Sequence, residues 1–259
     1  MIEMRKTYPI LSLVFILFLQ VACTNSDSKQ EKKELLIYCG ITMIKPMTEI
    51  KQSIEKQEHC SIEITKGGSG NLLKALETSG IGDLYLPGAD NYIYTAFSRG
   101  LIMDTATVGK NRLVMMVQKG NPLHISSDLA NLINKNYYVV IGNPNSGSVG
   151  KTTKKVLEKR GIFSEVEQNA VKFTTDSKDL TLLLKNKEAD LVINWYATYT
   201  WDDNSKYMDA IAIDDKYEPN KKLILATLKS SKYPEIAQAF LKYASSEKGK
   251  AIFKKYGLN

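Results

Sequence analysis

Histidine and cysteine are scarce: the 259 residues hold two of the first, His59 and His124, and three of the second, Cys23, Cys39 and Cys60. Two histidines far apart in the chain leave no legible serine, histidine and acid constellation and no ligand spacing for zinc. No apolar run reaches the roughly twenty residues that a membrane-spanning helix needs. There is no internal repeat and no long low-complexity tract. The formal net charge of +7 is spread over many lysines, and no dense basic stripe is interleaved with aromatics. Nucleic-acid binding is therefore not indicated, whereas anions and anionic surfaces are favoured by long-range attraction.

What is present begins at the N-terminus. Arg5 and Lys6, the apolar stretch Ile10 to Leu19 and Val21-Ala22-Cys23 read together as an export signal over 1–22. A cysteine directly after small residues at the end of such a stretch resembles the bacterial lipoprotein cleavage box, although Gln20 stands where that box usually has leucine. The resemblance implies that Cys23 becomes the lipidated first residue of an exported, membrane-anchored chain facing the periplasm or the cell exterior. A simple cleaved signal or a retained anchor is the alternative. From Thr24 to Glu34 there is no apolar residue, so 23–34 reads as a lipidated cysteine and flexible tether, and folded structure is expected from Leu35.

In an exported chain Cys39 and Cys60 raise the question of a disulfide. They fall at the end of one strand-like run and the start of the next. If those strands are parallel neighbours, the offset is roughly 13 to 17 Å at strand rise, against a limit of about 7 Å for a bridge. Two buried free thiols are expected.

Beyond Leu35 strands and helices alternate. Strands are expected over Leu35 to Cys39, Ser61 to Thr65 and Asp83 to Leu86, with helices over Met47 to Gln57, Leu72 to Thr78 and Asn91 to Ser98. After the loop at Asn111, strands follow at Leu113 to Val117, Tyr137 to Ile141, Val171 to Phe173, Asp190 to Asn194 and Leu223 to Leu228. Helices are expected over Gly150 to Lys159 and Lys178 to Lys185, and the chain ends helically from Pro234 to Tyr256. This alternation implies βαβ units and parallel sheets. The length suits two α/β lobes better than one. They are expected to span 35–112 plus 224–259 and 113–223, with crossings at Leu113 to Val117 and Leu223 to Leu228, so that the last helices return to the first lobe.

Ligands of open parallel sheets bind beyond the carboxyl ends of the strands. Those junctions share one chemistry: Gly40-Ile41-Thr42-Met43, Gly67-Gly68-Ser69-Gly70-Asn71, Gly142 to Gly150, Thr175-Asp176-Ser177 and Asn194-Trp195-Tyr196. Hydroxyls, amides and glycines dominate, and Asp176 is the one charge. Glycines at a helix start let backbone N–H groups approach an anion, and neutral donors suit a fully ionised oxyanion because they offer no acceptor to a protonated competitor.

The order and spacing of these blocks resemble the molybdate-binding protein family of bacterial ABC importers over essentially the whole chain after the leader. The matching blocks are Gly40-Ile41-Thr42, Gly68-Ser69-Gly70-Asn71-Leu72, Gly82-Asp83-Leu84-Tyr85-Leu86 leading to Ala89-Asp90, and Asn111-Arg112-Leu113-Val114. They continue with Gly142-Asn143-Pro144 running to Val149-Gly150, Glu188-Ala189-Asp190-Leu191-Val192, and Ile252 to Gly257. The resemblance implies an α/β, two-lobed periplasmic-binding-protein fold of type II, a Venus flytrap with a parallel-rich sheet in each lobe and two crossing hinge strands. It implies a monomeric, non-enzymatic receptor with no cofactor, whose ligand is a small inorganic oxyanion, molybdate or tungstate, and whose partners are an ABC permease and its ATPase. The only metal would be the centre of that oxyanion. Family serines match Thr42 and Ser69, with Gly70 beside them. Family backbone donors match Val149 and Ser177. Where the family places a tyrosine this chain has Asn194-Trp195-Tyr196, with Trp195 at the nominal position and either Tyr196 or the indole N–H as its substitute.

Two other readings stand beside it. A receptor of the same fold for sulfate, phosphate, a phosphonate or a small organic acid would show the same loops. The segment Asn145 to Thr152 comes close to the phosphate loop of nucleotide hydrolases, but Asn145 stands where glycine is required and the best partner strand, Asp190 to Asn194, ends in asparagine rather than a magnesium-holding aspartate.

Overall fold

In the computed structural model the described residues are 1–2, 33–201, 203–214, 216–217 and 221–259. Most of the expected export signal, Cys23 and the tether as far as residue 32 lie outside them. Lys33 and Glu34, expected in the tether, instead open the first strand: their side chains are exposed, but their backbones pair with Cys60 and Ser61.

The first sheet contains β1 (Lys33–Gly40), β2 (Cys60–Gly67), β3 (Leu84–Leu86) and β4 (Ile102–Asn111), and the second contains β5 (Leu113–Gln118), β6 (Val139–Gly142), β7 (Lys172–Thr174), β8 (Leu191–Trp195) and β9 (Met208–Ala212). The last strand, β10 (Lys221–Leu228), returns to the first sheet, giving the orders β2-β1-β3-β10-β4 and β7-β6-β8-β5-β9. In each sheet three strands run parallel, and the remaining pairings are antiparallel. Arg112 alone separates β4 from β5, and the segment 213–220 separates β9 from β10, so the chain passes between the sheets twice. This is the two-lobed α/β architecture with paired crossings.

Helices α1 (Ile44–Glu58), α2 (Ser69–Ser79) and α3 (Asn91–Ser98) belong to the first half. The second half contributes α4 (Ser148–Arg160), α5 (Phe163–Asn169), α6 (Ser177–Lys185) and the short α7 (Tyr196–Tyr199) and α8 (Asn204–Tyr207). The ending is two helices, α9 (Pro234–Ser245) and α10 (Glu247–Lys255), because Ser246 leaves the helical conformation and its hydroxyl caps the Gly249 N–H at 3.2 Å. Both pack on the first sheet: Phe240 and Phe253 are fully buried with Ile37, Met47, Ile50 and Leu225. The other face of that sheet is closed by Leu72, Leu76, Tyr85 and Ile93, and the second sheet by Met115, Met116, Ile141 and Leu180. Truncating such a buried phenylalanine to alanine costs about 3–5 kcal/mol.

β4 occupies the expected loop before Leu113. It is an edge strand with half of its residues exposed and no continuous apolar run, and its pairing with β10 defines it. Cys39 pairs with Lys66 and Cys60 with Lys33, at opposite ends of the β1/β2 ladder, and both are buried free thiols. His59 and His124 are exposed turn residues with φ of 50° each, His59 ending α1. Among the described residues no group of three or more histidine, cysteine or acidic side chains could hold a metal ion, and no helix is long and apolar enough to cross a membrane.

Candidate functional site

The carboxyl ends of the parallel strands in both sheets face one small cavity. β1 delivers Gly40, Ile41 and Thr42, β2 delivers Gly67, Gly68 and Ser69, and β3 is followed by Gly88. From the opposite side come Gly147, Ser148 and Val149 after β6, Thr175, Asp176 and Ser177 after β7, and Trp195 at the end of β8. The cavity offers about 20 Å³ to the centre of a water-sized sphere, which suits a ligand of a few heavy atoms and leaves no room for a nucleotide.

Small residues let the two sides meet. A Cβ added at Gly88 would lie 2.6 Å from Ser148 Oγ, one at Gly70 would lie 3.0 Å from the Ser146 carbonyl, and one at Gly68 would lie 3.5 Å from the Thr175 carbonyl. The loops of the first half therefore rest against those of the second.

The chemistry of the lining is donor-rich and contains no cationic side chain. Gly40, Gly68 and Gly147 are the N-caps of the single 3-10 turn Ile41–Met43 after β1, of α2 after β2 and of α4 after β6, and a glycine has no side chain to occupy the first N–H groups. Their first-turn N–H groups keep the partial positive charge of a helix start. α6 differs: the Asp176 carboxylate accepts from the N–H groups of Lys178 and Asp179 at 2.8 and 3.1 Å. The single carboxylate of the lining is thus committed to capping. Ser69 Oγ accepts the Gly88 N–H at 2.9 Å, and Thr42 Oγ1 donates to the Met43 thioether, a weak acceptor, at 2.8 Å. Both hydroxyls have protons to offer an anion.

Five of the eight residues singled out from the sequence, Thr42, Ser69, Val149, Ser177 and Trp195, come together on this lining, and three do not. Asn194 is fully buried behind it, where its amide donates to the Ser177 carbonyl at 2.9 Å and accepts the Trp195 N–H at 2.8 Å. Gly70 supports the contact with the Ser146 loop. Tyr196 turns away: the Arg112 guanidinium sits 4.2 Å over its ring, and its N–H donates to the Arg112 carbonyl. Gly88 is a lining residue outside every junction read from the sequence, whereas Ser148 lies within one of them, Gly142 to Gly150, without a role of its own. Gly88 had one usable signal, its place just beyond the third parallel strand.

The Asn145 to Thr152 segment opens α4, but Lys151 lies 5.1 Å over the Tyr92 ring rather than in the cavity. β8 carries Asn194 and Trp195 at its end and no carboxylate.

The comparisons with known proteins agree with this architecture. Residues 35–259 match the family model described as bacterial extracellular solute-binding protein. A protein of Haemophilus influenzae described as a binding protein is 26% identical over 222 residues, covering 85% of this chain and 88% of that one. The periplasmic molybdate-binding protein of Azotobacter vinelandii superposes with a TM-score of 0.74 at 14% identity, covering 87% of this chain and 98% of that one. PEB3 of Campylobacter jejuni, in its L-phospholactate-bound form, superposes with a TM-score of 0.69 at 20% identity, covering 86% and 98%.

Proposed function

This chain belongs to the family of bacterial extracellular solute-binding proteins, and from that membership we propose that it captures a small tetrahedral oxyanion, molybdate or tungstate foremost, and delivers it to an ABC permease. The observation that carries this reading is the lining: hydroxyls and helix-start N–H groups converge on about 20 Å³ from both lobes, with no cation and with its carboxylate turned to a cap. Dipoles of this kind stabilise full anionic charge without a counter-ion.

Thr42 and Ser69 would donate hydroxyls and N–H groups from the first lobe, and Val149 and Ser177 backbone N–H groups from the second. Trp195, on the lining, would supply the donor that the resemblance to the molybdate-binding family assigns to a tyrosine, because the Arg112 guanidinium covers the Tyr196 ring. Closure about the two crossings would seal the anion from water, the arrangement a permease would recognise. Cys23 would carry a lipid that keeps this monomeric receptor on the outer face of a membrane, with the following residues as tether.

Sulfate, phosphate and small organic acids could use the same donors. A thermal-unfolding panel tests the assignment: an anion at a hundred times its Kd stabilises the native state by about 2.7 kcal/mol. Molybdate and tungstate are expected to raise the midpoint, and an organic phosphate that alone raised it would refute the assignment.

A further inference from the structure

We propose that Asn111 is the positioning residue of this site, fixing from the crossing between the lobes the direction in which Thr42 and Ser69 present their protons; the inference rests on the oxyanion reading of the cavity. Asn111 is the last residue of β4, opposite Lys221 of β10, and is 1% exposed. Its Nδ2 donates to the Gly88 carbonyl at 3.3 Å and to Thr42 Oγ1 at 3.5 Å. Chemistry fixes the amide's orientation, since a carbonyl oxygen only accepts and so requires the nitrogen to face it.

The consequence reaches both hydroxyls. The Gly88 peptide held at its carbonyl by Asn111 donates its N–H to Ser69 Oγ at 2.9 Å. The hydroxyl oxygens of Thr42 and Ser69 therefore each receive an N–H, and a hydroxyl whose oxygen is engaged as acceptor turns its own proton elsewhere. For Thr42 the alternative acceptor is the Met43 thioether, and Ser69 donates to no acceptor among the described residues. An anion in the cavity supplies what both protons lack.

The other end of the amide argues against a purely structural role. Asn111 Oδ1 is buried and has no hydrogen-bond partner among the described residues. Burying an orphan acceptor is unfavourable, and an aliphatic side chain of similar volume would fill the space without it. The next residue, Arg112, is the single link between the sheets at this crossing, so the network is anchored at the hinge.

A double-mutant cycle tests the inference. Molybdate is titrated calorimetrically into the wild type, Asn111→Leu, Thr42→Val and the combined variant, with the unfolding midpoint of each ligand-free protein as a check on folding. Asn111→Leu is expected to weaken binding up to about tenfold, through the loss of two neutral hydrogen bonds that orient the donors. The combined variant is expected to lose well under the product of the single losses, because Asn111 acts in part through Thr42. Losses that multiply, or an Asn111→Leu affinity within about twofold of the wild type, would overturn it while leaving the oxyanion reading intact. If the leucine variant does not fold, the same cycle with Asn111→Ala, which removes the donor without adding a charge beside the anion, applies the same criteria. A wild type silent to every oxyanion would overturn both.

Discussion

The Tyr92 hydroxyl on α3 donates to the Ser146 carbonyl at 2.8 Å, a bond that runs from the first lobe to the loop that opens α4 in the second. Lys151 covers the same ring, and Gly70 leaves room for the carbonyl. Because the partners lie on opposite sides of the cavity, the bond exists only when the two sets of loops touch. Tyr92→Phe removes about 0.5–1.5 kcal/mol from that arrangement. The expected outcome is a roughly two- to tenfold weaker affinity, expressed mainly as faster ligand release. Stopped-flow displacement checks it, and an unchanged release rate would show that this bond does not hold the lobes together.

Burial raises the Tyr92 phenol to about 12 and pushes Tyr85 up as well, by burial first and the neighbouring Tyr92 second. In the unfolded chain both ionise near 10. Their folded values being raised, the contribution to stability is complete below about pH 10 and is lost as pH rises towards the folded values. Unfolding midpoints measured from neutral pH upward should therefore fall more steeply above about pH 10 in the wild type than in Tyr92→Phe. Parallel curves would contradict this.

Two small substitutions separate donation from closure. Ser69→Ala removes one charge-assisted bond to the anion, about 1.5–3 kcal/mol, so affinity should fall roughly tenfold to a hundredfold. Gly88→Ala removes no donor, but its Cβ would come within 2.6 Å of Ser148 Oγ across the cavity. It should weaken binding and, because Gly88 is buried with its N–H and carbonyl both hydrogen-bonded, also lower the unfolding midpoint of the ligand-free protein. Calorimetric titration beside thermal unfolding distinguishes the two.

Much of this architecture is readable from residues alone, for a physical reason. Parallel strands covered on both faces are unbroken apolar runs, such as Leu84-Tyr85-Leu86 and Val139-Val140-Ile141, and they announce the sheets. β4 is hidden because it is an edge strand with a mostly polar surface. The junctions were locatable because ligands collect at strand ends, which is why Thr42, Ser69, Val149, Ser177 and Trp195 meet. The choice between Trp195 and Tyr196 was not readable: one residue ends β8 on the cavity, and the next opens α7 against Arg112. The parts of Gly88 and Asn111 were also hidden, because they act through hydrogen bonds made only in the folded chain.

Isothermal titration of the purified protein with molybdate, tungstate, sulfate and phosphate at equal ionic strength tests the central claim most directly. Tight saturable binding of molybdate and tungstate that outcompetes sulfate and phosphate is the expected result. No heat from either metal oxyanion, with binding of phosphate or an organic acid in its place, would contradict it and assign the cavity to another solute.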